Sequence, residues 1–152
     1  MIKKAVVCVL LSIFVSGCAT TFNGKAAGDG PDIVDLGNGI IQDNSSGLMW
    51  QKDRSKVFHS LAEASEYINS LQLGGFKDWR LPTIYELYNL QFVFDFKSRD
   101  NAGMDSEGSY WSSAGDGKGS AGAWEVGGQC ELERNYFMYS SGYVRAVRSI
   151  NL

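Results

Sequence analysis

Apolar positions in this chain alternate with polar ones in short runs near both ends and recur every three to four residues only in the middle. Period two predicts half-buried strands and period 3.6 predicts helices. The first runs, Ile33-Val34-Asp35-Leu36 and Gly39-Ile40-Ile41-Gln42-Asp43, flank Gly37-Asn38, a pair suited to a hairpin turn. A second turn at Asn44-Ser45-Ser46-Gly47 leads into a third strand, Leu48-Met49-Trp50-Gln51. Helical spacing then appears: Ser60 with Glu63 has the pattern of a capping box, and Leu61, Ala64, Ile68 and Leu71 fall on one face. That helix is expected to end near Leu73, with Gly74-Gly75 as a left-handed C-cap.

The segment that follows organises the rest. Residues 76–81 form an extended link, with Trp79 buried and Asp78 and Arg80 directed elsewhere. Pro82 biases Leu81 to extended backbone and donates no hydrogen bond, so the link stops there. Thr83 and Glu86 repeat the capping box, and Ile84, Leu87 and Leu90 give a second helix reaching to about Phe92. Trp79, Arg80, Pro82, Thr83 and Glu86 are therefore read as scaffold. The last third is rich in strands: Ser109-Tyr110-Trp111-Ser112-Ser113, a Gly/Ser loop over 114–122, Ala123-Trp124-Glu125-Val126, and Arg134-Asn135-Tyr136-Phe137-Met138-Tyr139. After the turn Ser140-Ser141-Gly142, a final strand over 143–148 puts Val144, Ala146 and Arg148 on one face and Tyr143, Arg145 and Val147 on the other. Runs of strands around two helices give an α+β class.

The N-terminus changes this picture. Lys3 and Lys4 precede an apolar run of about a dozen residues, the layout of a secretory signal and too short for a membrane span. Val15-Ser16-Gly17-Cys18 resembles the lipobox of bacterial lipoproteins, which implies acylation of Cys18, and Ala19 after it implies sorting to the outer membrane. Residues 1–17 are thus assigned to a signal peptide, 18–31 to a lipidated cysteine and flexible tether, and 32–152 to one domain. Without Lys3 and Lys4, 12 basic residues face 17 acidic ones, a net −5 that argues against nucleic acid as a partner. Of the three cysteines, Cys8 leaves with the signal and Cys18 is acylated, so Cys130 has no partner for an intramolecular disulfide.

Candidate chemistry is sparse. His59, the sole histidine, sits at a helix start with no nucleophile beside it in sequence. No phosphate loop, zinc spacing or nucleophile elbow occurs, and no catalytic residue, metal site or cofactor is assigned. Asp43-Asn44-Ser45 is explained by its turn. The mixed-charge loop 95–108 lacks EF-hand spacing, because Ala102 and Met104 stand where ligands from Asp100 would fall. Trp50, Trp79, Trp111 and Trp124 are read as packing. Arg80, Arg145 and Arg148 are read as partners in bidentate ion pairs to Asp78 or Glu86.

Gly47-Leu48-Met49-Trp50, the run Gly74-Gly75-Phe76-Lys77-Asp78-Trp79-Arg80-Leu81-Pro82-Thr83 with Glu86-Leu87, Tyr110-Trp111-Ser112-Ser113, Ala123-Trp124 and Tyr143-Val144-Arg145-Ala146-Val147-Arg148 resemble, in order, the Lcl C-terminal domain family. The resemblance runs from about Ile40 to Arg148. It implies a C-type-lectin-like fold with two helices and small antiparallel sheets, strands from both ends being paired. Family members often carry cysteines where this chain has Ile68 and Ala146, so packing is expected to replace a bridge there. The Glu-Pro-Asn or Gln-Pro-Asp signature of calcium-sugar lectins is absent, as are the paired thiols of the similarly folded formylglycine-generating enzymes. The expectation is a non-catalytic, lipid-anchored module of the bacterial cell envelope that binds a glycan or protein through its long loops. Its candidate contacts are Arg99, Asp100, Asn101, Asp105, Glu107 and Asp116. The alternative is an assembly subunit of an envelope complex.

Overall fold

The computed structural model describes residues 33–96, 103–114, 119–126 and 134–151. Its elements run β1 (Ile33–Gly37), β2 (Ile40–Asp43), β3 (Leu48–Gln51), α1 (Leu61–Ser70), α2 (Ile84–Phe96), β4 (Tyr110–Ser113), β5 (Gly119–Val126), β6 (Arg134–Tyr139) and β7 (Val147–Ser149). The class is α+β, with two helices and two small antiparallel sheets, one ordered β1-β2-β3-β7 and the other β4-β5-β6. The last strand pairs with the third, Trp50 opposite Val147, and so closes the domain end to end. No described helix is long and apolar enough to cross a membrane.

The turn after β2 forms because Asp43 is buried, and its carboxylate accepts from the amides and hydroxyls of both Ser45 and Ser46. A buried carboxylate is tolerated only with such a set of donors. Helix α1 begins as the capping pattern requires, with the Glu63 amide donating to Ser60 Oγ at 3.2 Å. The return bond reaches one residue further back, from the His59 amide to Glu63 Oε2 at 2.9 Å. The helix stops earlier than its apolar spacing suggests: Leu71 is already extended, with ψ 122°. Gly74 and Gly75 do adopt positive φ, 63° and 82°, but they turn the chain between Leu73 and Phe76 and do not cap a helix. A Cβ on Gly74 would lie 2.2 Å from Ile40 Cδ1, so the turn is pressed against β2.

Other boundaries also move. Helix α2 continues to Phe96 and takes in Asp95, which the charge pattern had given to the loop. Strand β5 starts at Gly119, within the expected Gly/Ser loop, because Ser113 and Ser112 pair with Gly119 and Ser120. The expected strand over 143–148 is regular only from Val147; Tyr143 makes a single bridge to Tyr110, and Val144 to Ala146 pass between the sheets. Its alternation nevertheless holds. Val144 and Ala146 enter one buried cluster with Trp79, Trp111 and Ile68, while Val147 enters a second with Trp50, Leu87, Leu90 and Tyr110, against which Tyr143 packs. Ile68 and Ala146 thus share one core, consistent with packing in place of a bridge.

Candidate functional site

Four arginines, Arg80 and Arg148 at the junction and Arg145 and Arg54 at the loop, hold these segments in place. Arg80 forms a fork on Glu86, Nη1 to Oε2 at 2.8 Å and Nη2 to Oε1 at 2.7 Å. Glu86 also accepts the Thr83 amide at 2.8 Å, while its own amide donates to Thr83 Oγ1. Burial pushes the Glu86 carboxyl up, but the Arg80 guanidinium and the Thr83 amide outweigh this and hold it below the usual range. Arg148 Nε lies 2.9 and 3.0 Å from the two Asp78 oxygens, and its guanidinium covers the Phe76 ring at 3.9 Å. The Arg148 hydrogen bond holds the Asp78 carboxyl low. Trp79 is buried, with Nε1 donating to the Leu73 carbonyl at 3.2 Å. Pro82 is fully buried.

Arg145 departs from the expected ion pair. It is wholly buried, and no carboxylate among the described residues receives it. Its fork donates to the carbonyls of Gln51, Lys52 and Asp105, and Nη2 lies 3.4 Å from the Tyr110 hydroxyl. These acceptors sit on the end of β3, the loop before β4, and β4 itself. The cation therefore ties the loop to both sheets. Arg54 adds a second tie: Nη2 meets Asp105 Oδ2 at 2.7 Å, Nη1 donates to the Glu107 carbonyl at 2.7 Å, and the guanidinium stacks on Tyr143 at 4.0 Å. Gly108 has φ 95°, and a Cβ there would meet Tyr143 at 3.1 Å, so the loop lies flat against that ring. Residues 103–109 are fixed by their own polar groups before any ligand arrives, a form of preorganisation.

Behind this loop lies a cleft of about 510 Å³ between the loop, α2 and the three-stranded sheet, within the range of roughly 300–1,000 Å³ common for ligand sites. Gln91 from α2, Glu107 from the loop, Trp124 and Glu125 from β5, and Arg134 and Tyr139 from β6 line it. Trp124 is held rigid: Nε1 donates to the Ile84 carbonyl at 2.9 Å, and the ring contacts Tyr88 and Tyr136 at centroid distances of 5.0 and 5.3 Å. The Tyr139 hydroxyl donates to Glu125 Oε1, and that bond keeps the phenol proton above its usual range. Gln91 Nε2 donates to the Ser106 carbonyl, while Gln91 Oε1 is buried without a partner.

Of the residues assigned to binding from sequence, Arg99, Asp100, Asn101 and Asp116, like the lipidation site Cys18, lie outside the described residues. Asp105 and Glu107 separate. The Asp105 carboxylate is taken by Arg54 and by the Glu107 amide, whereas Glu107 is among the residues that line the cleft. Gln91, Glu125, Arg134 and Tyr139 carried no sequence signal beyond helix and strand membership, because only the pairing of β5 with β6 and the placement of α2 beside them collect these residues. Among the described residues, no group of three or more histidine, cysteine, aspartate or glutamate side chains converges to hold a metal.

An α+β domain whose last strand joins the sheet of its first three, with a polar, aromatic-walled cleft beside a pinned loop, is the class that this architecture defines. The model of the Lcl C-terminal domain matches residues 39–148, and the chain belongs to that family. No curated protein and no solved structure matches it.

Proposed function

We propose that this protein is a non-catalytic recognition module of the bacterial cell envelope, with a C-type-lectin-like fold, anchored to the outer membrane through acylated Cys18, and that its cleft binds a glycan. The observation that carries the reading is the juxtaposition of a fixed tryptophan wall, Trp124, with polar residues from three elements, Gln91, Glu107 and Glu125, in one cleft lining. Sugars present an apolar face of C–H groups and an edge of hydroxyls, and aromatic surface beside carboxylates and amides complements both. Acyl chains on Cys18 would hold the domain at the membrane by burial of CH₂ groups, with residues 19–31 as tether. A glycan array probed with the full chain, purified in detergent, tests this. Binding that is lost in Glu107→Gln/Glu125→Gln supports the cleft; binding untouched by that pair removes it as the site, and no binding to any glycan removes the glycan reading.

A second reading, an assembly subunit of an envelope complex, has its own support. Strand β6 has no partner on its outer side among the described residues, and Phe137, Met138 and Tyr139 are exposed on it, Met138 at 77 %. Exposed apolar side chains on a sheet edge mark places where another chain can add. Cross-linking from position 138 in intact cells to one defined envelope protein would favour this reading.

A further inference from the structure

We propose that β6 is a dimer edge, pairing antiparallel with β6 of a second copy of this chain about a two-fold axis at Phe137; this rests on the assembly reading above and names its partner. The backbone shows which groups the edge offers. The Trp111 amide donates to the Tyr143 carbonyl and the Tyr143 amide to the Ser109 carbonyl, each at 2.8 Å, so Trp111 and Ser109 turn their polar groups away from β5. Along an antiparallel ladder that direction alternates residue by residue. With Trp111 opposite Ala121 and Ala121 opposite Tyr139, the backbone groups of Ala121 and Ala123 turn to β6, where Tyr139 and Phe137 take them. Those of Tyr136 and Met138 are left on the outer side, which no described strand covers.

The side chains say what covers that edge. Phe137 and Tyr139 emerge on one face of the sheet and Met138 on the other, at 48, 49 and 77 % exposure. A flat surface such as a membrane meets one face only, whereas a strand added to the edge flanks both. With the axis at Phe137, Tyr136 and Met138 of the two copies face one another and exchange both backbone bonds. Phe137 then meets its own counterpart in the closer, non-bonded kind of pair, and Tyr139 meets Asn135. Every exposed apolar side chain of the strand is covered, and no charged residue occurs over 135–139 to repel a copy or block the edge. Moving the axis to Tyr136 would instead set Met138 against Arg134. The opposite edge of the sheet is taken by Pro82 and Tyr143, so pairing ends with three strands from each copy and does not propagate. At roughly 150–250 Å² per aromatic residue, the exposed parts of the three side chains bring on the order of 700 Å² from two copies. With the strand backbones this reaches the low end of specific interfaces, about 1,000–1,200 Å². The dimer is therefore weak in solution, and confinement by the lipid tether raises the effective concentration.

The test uses the purified full chain in detergent, with Cys130→Ser throughout and single cysteines at the edge, under mild oxidation. Phe137→Cys alone is expected to give a covalent dimer. Asn135→Cys and Tyr139→Cys should cross-link when mixed and not when each is alone, since the axis at 137 sets 135 opposite 139. Adding Met138→Pro to Phe137→Cys removes one outward N–H from each copy and leaves the ladder to β5 intact. With two bonds gone from the dimer, its yield should fall about tenfold. Met138→Lys, which spares the backbone, should act in the same direction while melting as the parent does. Equal cross-linking of Phe137→Cys with and without these changes marks random collision and overturns the dimer. Failure of every cysteine pair to cross-link also overturns it. In that event, cross-linking from position 138 in intact cells to a different, defined envelope protein keeps the assembly reading without the second copy, and its absence removes both.

Discussion

Replacing Arg145 by methionine isolates the strut beneath the loop. Methionine keeps an unbranched side chain but has no donor and no charge. Two effects oppose one another. Removing a fully buried cation that has no carboxylate partner among the described residues relieves a desolvation cost of several kcal/mol. Against this, the fork's bonds to three carbonyls, of Gln51, Lys52 and Asp105, are lost, each worth about 1.5–3 kcal/mol when the donor is charged. The bonds outweigh the relief, and a net loss of about 2–4 kcal/mol is expected, as for other buried polar groups that lose a partner. Urea melts of parent and variant measure it, with hydrogen exchange at residues 103–109 as the local readout. Exchange there should rise more than in β2 and β3, because the Asp105 carbonyl loses its hold. Arg145→Lys should recover only part of the stability, since an ammonium cannot span acceptors on separate elements as a planar fork does. A variant within about 0.5 kcal/mol of the parent, the spread of ordinary surface changes, with loop exchange unchanged, would refute the strut.

Two further outcomes follow from the core and the junction. Ile68→Ala removes a buried side chain from the cluster that also holds Ala146 and Trp79, and should cost about 2–4 kcal/mol in a urea melt; a loss below about 1 kcal/mol, the cost of an Ile→Val trim, would mean that this contact does not replace a bridge. Acid should weaken the domain through Glu86 and Asp78, whose carboxyls are both held low in the fold. For depressed groups the sign is fixed: their stabilisation is complete above the unfolded carboxylate value of about 4 and is lost as pH falls through the lower folded value. Glu86→Gln should therefore lower stability at neutral pH and flatten the acid limb. A parallel acid limb in that variant would show that the Arg80–Glu86 fork contributes nothing to it.

Much of the frame was legible in the chain. The first hairpin, the capping box at Thr83 and the strand over 134–139 are local, set by residues a few positions apart; the turn itself falls on Asn38-Gly39, one residue beyond the expected Gly37-Asn38, and the Ser60 box closes through the His59 amide. The errors lie where a neighbour distant in sequence intervened. Leu71 leaves the helix although its spacing would allow another turn, and Gly74-Gly75 turn the chain where it presses on Ile40 of β2. Gly119 joins a strand despite its loop-like surroundings because β4 lies alongside.

Charge was the least readable property. The sequence showed that Arg80, Arg145, Arg148, Asp105 and Glu107 would matter, and their types limited each to a few roles. Tertiary packing assigned the roles. Arg80 and Arg148 met carboxylates, Arg145 met carbonyls, and Asp105 turned to Arg54 while Glu107 came to line the cleft. Periodicity and caps depend on backbone geometry over one or two turns of chain, which any stretch of sequence carries within itself. A cleft assembled from α2, β5 and β6 depends on which segments the core brings together, and that is decided only when the two clusters on either side of residues 143–148 close.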